Sequence, residues 1–294
     1  MKIIHSFWSK PYALKNMGSN SYGGWCNPIF FYLSWALSCS TFKRFYSDVE
    51  LYTDECGHEL LINKLKLPYT RCHIVLDSLN NYDEELWAIG KLFTYAQQEE
   101  PFIHTDYDVF IWKKFPNWLE QSPLIAQHLE KEYPYSIKVI DDAIAKFHWL
   151  PDCITKSENK YNEANAGILG GTDINFIREY CEIAFKLIDK NADVIKNLKY
   201  PGMVNTVVEQ YLYLCLSLYK DTPIRYAFEN VDSRFQRFGK FESIPHDAYY
   251  IHTLAFYKTV YAIGENIAYH LYKIDPTIFK RVVSLYKDNE LCLM

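Results

Sequence analysis

The chain has 294 residues and carries 31 Lys and Arg against 36 Asp and Glu, a formal net charge of −5. That mild acidity offers no basic field to a phosphate backbone, which sets nucleic acid aside as a partner. No apolar run reaches the length of a transmembrane segment, no signal peptide opens the sequence, and the eight cysteines show neither a CxxC pair nor a zinc-ligand spacing. The expectation is a cytoplasmic protein with reduced, buried thiols and a core large enough to need no staples.

Lys2–Phe7 is apolar and reads as a first strand, followed by the polar and aromatic Trp8-Ser9-Lys10-Pro11-Tyr12. Residues 18–24, rich in Gly, Ser and Asn, read as a mobile loop. Pro28 suits the first turn of a helix over roughly 29–41. A second strand follows at 49–54, a helix at 59–65 and a third strand at 72–76. Over 84–98 the apolar Leu86, Ile89, Leu92, Phe93 and Ala96 fall at helical spacing. That helix leads directly into PFIHTDYDVFIW at 101–112, which reads as one strand running into the interior and out again.

This β-α-β-α-β-α-β alternation argues for an α/β fold, a mostly parallel sheet covered by helices. Such sheets bind ligands off the carboxyl ends of their strands, where Trp8, Asp54, Asp106 and Asp108 fall. Two buried carboxylates at i and i+2 repel one another, and burying even one unpaired costs several kcal/mol. A divalent cation relieves both problems, and Mg²⁺ usually completes its shell with water and substrate phosphates. The alternative is a solvated loop that happens to hold two acids.

Further along, 124–126 reads as a short strand, 139–148 as a helix or a partly apolar loop, and 156–163 as polar and exposed. Asn165-Ala166-Gly167-Ile168-Leu169-Gly170-Gly171 reads as a strand bounded by small residues, with a helix from 172 or 173 to 189. A helix at 204–219 carries Glu209-Gln210 on an exposed-looking face. Strands follow at 223–228 and 249–253, and two helices broken at Asp275-Pro276 fill 259–287. Lys91 is either a solvated helix residue or a ligand for a donor phosphate or sugar hydroxyl. His252 can give a third metal ligand through a neutral imidazole nitrogen, with His246 competing for that role. Lys258 can neutralise a diphosphate leaving group.

Together, Asp106-Tyr107-Asp108, Asn165-Ala166-Gly167, Glu209-Gln210-Tyr211 and His252 with Lys258 six positions later resemble, in order, the motif set of a GT-A glycosyltransferase. The resemblance is strongest to the retaining galactosyl- and glucosyltransferases of family 8, which run D-x-D, N-S/A-G, D-Q-D, H-x-x-G-x-x-K-P-W. It spans roughly residues 2–258. Glu209 and Tyr211 stand where that family has Asp, Ala255 where it has Gly, and Thr259 where Pro-Trp begins. The DYD and NAGILGG segments are also similar to those of a family of uncharacterised bacterial proteins.

The resemblance implies a GT-A domain over 1–258 with a C-terminal helical extension, 259–294, packed on it. It implies a nucleoside diphosphate sugar donor, UDP-linked, and an acceptor that is a glycan, a small molecule or a peptide. Asp106, Asp108 and His252 would hold Mn²⁺ or Mg²⁺, and Lys258 would contact the leaving group. Ser6, Trp8 and Asp54 would contact the nucleoside, and Lys91 and Glu209 the donor sugar. Asn165 and Gly167 would line the sugar or acceptor side, with Gln210 near the anomeric carbon. The catalytic residues so implied are Asp108, Glu209 and Gln210. A retaining, front-face displacement is favoured, because an amide is a poor nucleophile. Two rivals remain. A non-catalytic binding protein on the same fold accommodates the departures at 211, 255 and 259. A haloacid-dehalogenase-type phosphatase also starts with D-x-D-x-V, but only 33 residues separate Asp108 from the Asp141-Asp142 pair it would need.

Overall fold

A computed structural model describes residues 1–12, 21–198, 201–228 and 239–291. In chain order the first half contains β1 (Lys2–Phe7), α1 (Pro28–Lys43), β2 (Val49–Thr53), α2 (Glu55–His58), β3 (Arg71–Ile74), α3 (Ala88–Ala96), β4 (Phe102–Thr105), β5 (Val109–Ile111), α4 (Asn117–Glu120), β6 (Leu124–Ala126), β7 (Leu129–Glu130) and α5 (Pro134–Lys146). The second half adds α6 (Asp152–Thr155), β8 (Glu163–Ala164), β9 (Ile168–Gly171), α7 (Ile174–Lys190), α8 (Ala192–Lys196), α9 (Val204–Thr206), α10 (Leu212–Tyr219), β10 (Ile224–Tyr226), β11 (Tyr250–His252), α11 (Tyr261–Ile274) and α12 (Pro276–Lys287). The class is mixed α/β with mostly parallel strands flanked by helices, as the alternation implied. The chain divides into two compact units: Met1–Ser78 with Thr105–Phe115 and Asp232–Met294, and Leu79–His104 with Pro116–Val231.

In the first unit, β1 pairs with β2 and β2 with β3, both parallel, with Ile3 opposite Val49 and Thr53 opposite Ile74. α1 is buried on every side from Phe30 to Phe42, in keeping with a sequence whose apolar residues are spread all round and interrupted only by small hydroxyl residues. It packs against α11 and α12. Asn27 caps it, its side-chain oxygen accepting the Ile29 N–H at 3.1 Å ahead of Pro28 at the first turn. The break between α11 and α12 falls at Asp275, whose carboxylate accepts the N–H groups of Thr277 (3.1 Å) and Ile278 (2.9 Å).

In the second unit the strand order is β10-β6-β9-β4, parallel between β10 and β6 and antiparallel between β6 and β9. The NAGILGG segment ends in two glycines for a steric reason. Gly170 (φ +155°) and Gly171 (φ +137°) lie so close to neighbouring backbone that a Cβ would strike the carbonyl oxygens of Phe102 and Pro123 respectively. α7 packs against α3 and α10, and β7 and β8 form a two-stranded ladder with Glu130 opposite Glu163.

Several sequence expectations change. The run 101–112 is two strands: the chain turns at Asp106-Tyr107-Asp108, and β5 leaves to pair antiparallel with β11. The helix expected over 84–98 begins only at Ala88, because turns closed by Leu86 N–H to Asp83 C=O (3.1 Å) and Ile89 N–H to Leu86 C=O (3.0 Å) precede it. The ambiguous 139–148 stretch is helical as far as Lys146, in a helix that starts at Pro134. Residues 156–163 are not uniformly exposed, since Glu163 is fully buried in β8. Glu209 is likewise fully buried, not on an exposed face, and the helix through it widens into a π-turn at Val207–Tyr211. Among the described cysteines all are free thiols, but they are not all buried, since Cys26 is exposed and Cys56 and Cys72 are half-buried. Residues 18–20 of the expected mobile loop lie outside the described residues, while Tyr22 to Gly24 form part of a short 3-10 turn. No helix among the described residues is long and apolar enough to cross a membrane.

Candidate metal centre

The turn between β4 and β5 brings Asp106 and Asp108 to one place. The Val109 N–H closes it on the Asp106 carbonyl at 3.1 Å. Because β11 runs antiparallel to β5 with His252 opposite Val109, the imidazole arrives beside Asp108. Thr253 fixes that register through its N–H (3.0 Å) and hydroxyl (3.2 Å), both donated to the Asp108 carbonyl.

The other side of β5 is secured by α1. Among the described residues β5 pairs with β11 alone, and since Val109, Phe110 and Ile111 are buried its other edge needs polar partners. Three hydroxyls on one stripe of α1 answer it. Ser34 donates to the Tyr107 carbonyl (3.1 Å), Ser38 donates to the Val109 carbonyl (2.8 Å), and Thr41 accepts the Ile111 N–H (3.4 Å). Their spacing of four and three residues matches one helix face meeting every second residue of a strand.

His252 Nε2 lies 3.4 Å from Asp108 Oδ1 and 4.0 Å from Asp106 Oδ2. One ligand atom from each of Asp106, Asp108 and His252 falls within 4.8 Å of the others. Asp108 and His252 are buried, and Asp106 is half-buried. Lys258 completes the cluster, its ammonium 2.8 Å from Asp108 Oδ2 and 3.3 Å from the Tyr107 hydroxyl. Burial alone would push the Asp108 carboxyl up. The Lys258 ammonium and the His252 imidazole outweigh it and hold the group well below the usual carboxylate range. Asp108 is therefore a carboxylate at neutral pH, ready to act as a ligand. Two carboxylates and an imidazole are a donor set that fits a divalent cation. His246, the competing histidine, is exposed and outside this cluster.

Tyr107, between the two aspartates, stacks on Trp35 with ring centroids 4.9 Å apart and an interplanar angle of 11°. Neither aromatic was singled out by the sequence. Asp54 spends both oxygens on its own loop: Oδ2 accepts the Ser9 N–H and hydroxyl, each at 2.7 Å, and Oδ1 accepts the Gly57 N–H at 2.8 Å. It caps α2 and orders the residues after β1. Trp8 is buried, and Ser6 is half-buried opposite Tyr52 of β2.

The second unit holds the remaining candidates. Lys91 Nζ lies 3.2 Å from Glu209 Oε1, which also accepts the Tyr95 hydroxyl at 3.1 Å. Tyr180 donates to the Glu209 carbonyl at 2.8 Å. A π-turn leaves backbone carbonyls off the regular ladder, and a side-chain donor there satisfies one of them. Gln210 is half-buried, and its side-chain oxygen makes no hydrogen bond among the described residues. Asn165 closes a turn, accepting the Gly167 N–H on Oδ1 (3.0 Å) and donating from Nδ2 to Glu130 Oε1 (3.0 Å). Glu130, 3.7 Å from His128 Nε2, is a neighbour the sequence reading missed. Asp141 lies exposed on α5, accepting the Tyr161 hydroxyl at 3.0 Å.

No curated protein matches the chain. Among solved structures it is similar to the glycosyltransferase GlyE of Streptococcus pneumoniae TIGR4, with 12% identity and a TM-score of 0.47 over 98% of this chain. It covers 63% of that protein, so it spans less than two thirds of its length. A family model described as "Family of unknown function (DUF6734)" matches residues 1–285. With nearly the whole sequence matched, the chain belongs to the DUF6734 family.

Proposed function

We propose that this chain is a metal-dependent glycosyltransferase of the GT-A kind, which moves a sugar from a nucleoside diphosphate donor, UDP-linked, to an acceptor hydroxyl. The observation that carries the proposal is the convergence of Asp106, Asp108 and His252, with Lys258 against Asp108. The imidazole in the set favours Mn²⁺ over Mg²⁺, which prefers oxygen ligands alone. An ion held there supplies Lewis-acid charge to a diphosphate leaving group. The protein's own contributions are separate from that charge. Asp108 remains ionised because Lys258 and His252 oppose its burial. The stacking of Tyr107 and the α1 hydroxyls position the turn through the protein's own contacts, and such pre-positioning lowers the cost of reaching a reactive geometry.

Lys91, Glu209, Gln210, Asn165 and Gly167 are the proposed sugar-side residues, with Glu209 acting through the lysine it pairs. Gln210 is a neutral amide and a poor nucleophile. A front-face displacement, with the acceptor hydroxyl held in place, is therefore the proposed course.

The test is UDP release from a panel of UDP-hexoses and UDP-N-acetylhexosamines, without acceptor, with and without Mn²⁺. Slow release that requires Mn²⁺ and falls at least about a hundredfold in Asp108→Asn is the expected outcome. UDP-sugar binding with no turnover across the panel would instead favour a non-catalytic binding protein.

A further inference from the structure

Lys258 is held more firmly than a surface lysine. Its carbonyl accepts the Cys26 N–H at 3.0 Å. Its stem passes Gly24, where an added Cβ would sit 3.9 Å from its Cδ. Its ammonium lies 5.0 Å from the Tyr107 ring centroid and 6.0 Å from that of Trp25, and the two rings form an aromatic cradle for it. From that cradle it donates to the Tyr107 hydroxyl and pairs with Asp108 Oδ2. The lysine side chain is 14% exposed and the aspartate 4%, so solvent screens the pair weakly. Asp108 thus has its two oxygens divided, Oδ1 facing His252 and Oδ2 taken by the ammonium.

A divalent cation coordinated by Asp106, Asp108 and His252 would come within a few ångströms of that ammonium. Like charges at such distances in a poorly screened site repel strongly. An anion that gives the ammonium a second partner removes the conflict. We propose that the Trp25–Tyr107 cradle makes Lys258 a competitor for Asp108, so that a divalent cation and a diphosphate load the site together and each binds weakly alone. Trp25 and Tyr107 are then positioning residues that act through Lys258. The proposal rests on the glycosyltransferase reading for the identity of the anion. The competition itself rests only on the contacts above.

Coupling between two ligands is reciprocal and measurable as a change in affinity. The experiment titrates Mn²⁺ by calorimetry into the full chain, with and without saturating UDP, for wild type, Lys258→Met and Tyr107→Phe. In wild type, UDP should tighten Mn²⁺ binding by about tenfold or more. Lys258→Met should bind Mn²⁺ alone about tenfold more tightly than wild type and show a smaller tightening by UDP, because only the direct attraction between cation and diphosphate then couples the two. Tyr107→Phe keeps the stacked ring and the ion pair but removes the hydroxyl. It should shift the same way by a smaller factor, and it carries the test if Lys258→Met does not fold. Mn²⁺ binding that UDP does not strengthen in wild type, or that neither substitution tightens, overturns the coupling while leaving the metal centre standing. No Mn²⁺ binding in any condition overturns both.

Discussion

Asp108 and Glu163 are both buried carboxylates, and their surroundings drive them in opposite directions. Asp108 has an ammonium and an imidazole against it and remains ionised. Glu163 has burial and the nearby Glu130 raising it, with only the Ser136 hydroxyl opposing, and its carboxyl is pushed up from 4.5 to about 8. Between those values the folded chain retains a proton that the unfolded chain has lost. Stability therefore falls as pH rises from about 4.5 to about 8 and levels off above, at up to about 1.4 kcal/mol per pH unit. Urea denaturation from pH 5.5 to 8.5 should show that decline in wild type and a shallower one in Glu163→Gln, and equal slopes would contradict the assignment. The candidate metal-centre residues were legible in the sequence because Asp-x-Asp beside an apolar run suggests a cation and the ordered resemblance to GT-A motifs picked out His252 and Lys258, which carry no such signal alone. Glu163 and Glu209 were not, because a polar residue in a polar stretch gives no sign of burial. In the case of Glu209, the partner that makes burial tolerable, Lys91, lies on a distant helix.

α1 shows the same division at the level of elements. Its start was readable from Pro28, and its apolar length matched a buried helix. The purpose of Ser34, Ser38 and Thr41 was not readable, since helical hydroxyls usually bond within their own helix or face water. They matter because β5 breaks away from β4 at the aspartate turn and presents an edge to α1. The run 101–112 looked like a single strand because apolar residues flank the turn on both sides, and periodicity cannot reveal a change of pairing partner. Ser38→Ala should cost about 1–3 kcal/mol, the penalty of leaving the buried Val109 carbonyl unsatisfied. Chemical denaturation measures that cost. A loss below about 0.5 kcal/mol would mean that the hydroxyl stripe does not secure the strand.

At the scale of the whole molecule, each unit draws on segments far apart in sequence. The late helices α11 and α12 supply Ile263, Ile267, Leu271, Ile278 and Val282 to the same core cluster as α1. The β-α alternation made the fold class legible. It could not show that the chain leaves the first unit after Ser78, returns for eleven residues that include the aspartate turn, and returns again near 232 with the histidine. That pattern of return is what assembles the candidate centre from residues 106, 108, 252 and 258. The most direct measurement is a calorimetric titration of Mn²⁺ with UDP present, wild type beside Asp108→Asn, with circular dichroism to establish that both are folded. Saturable uptake of one ion by wild type and an affinity at least about a hundredfold weaker in the variant is the predicted result. Equal Mn²⁺ affinity in the two folded proteins would contradict a cation held by this turn.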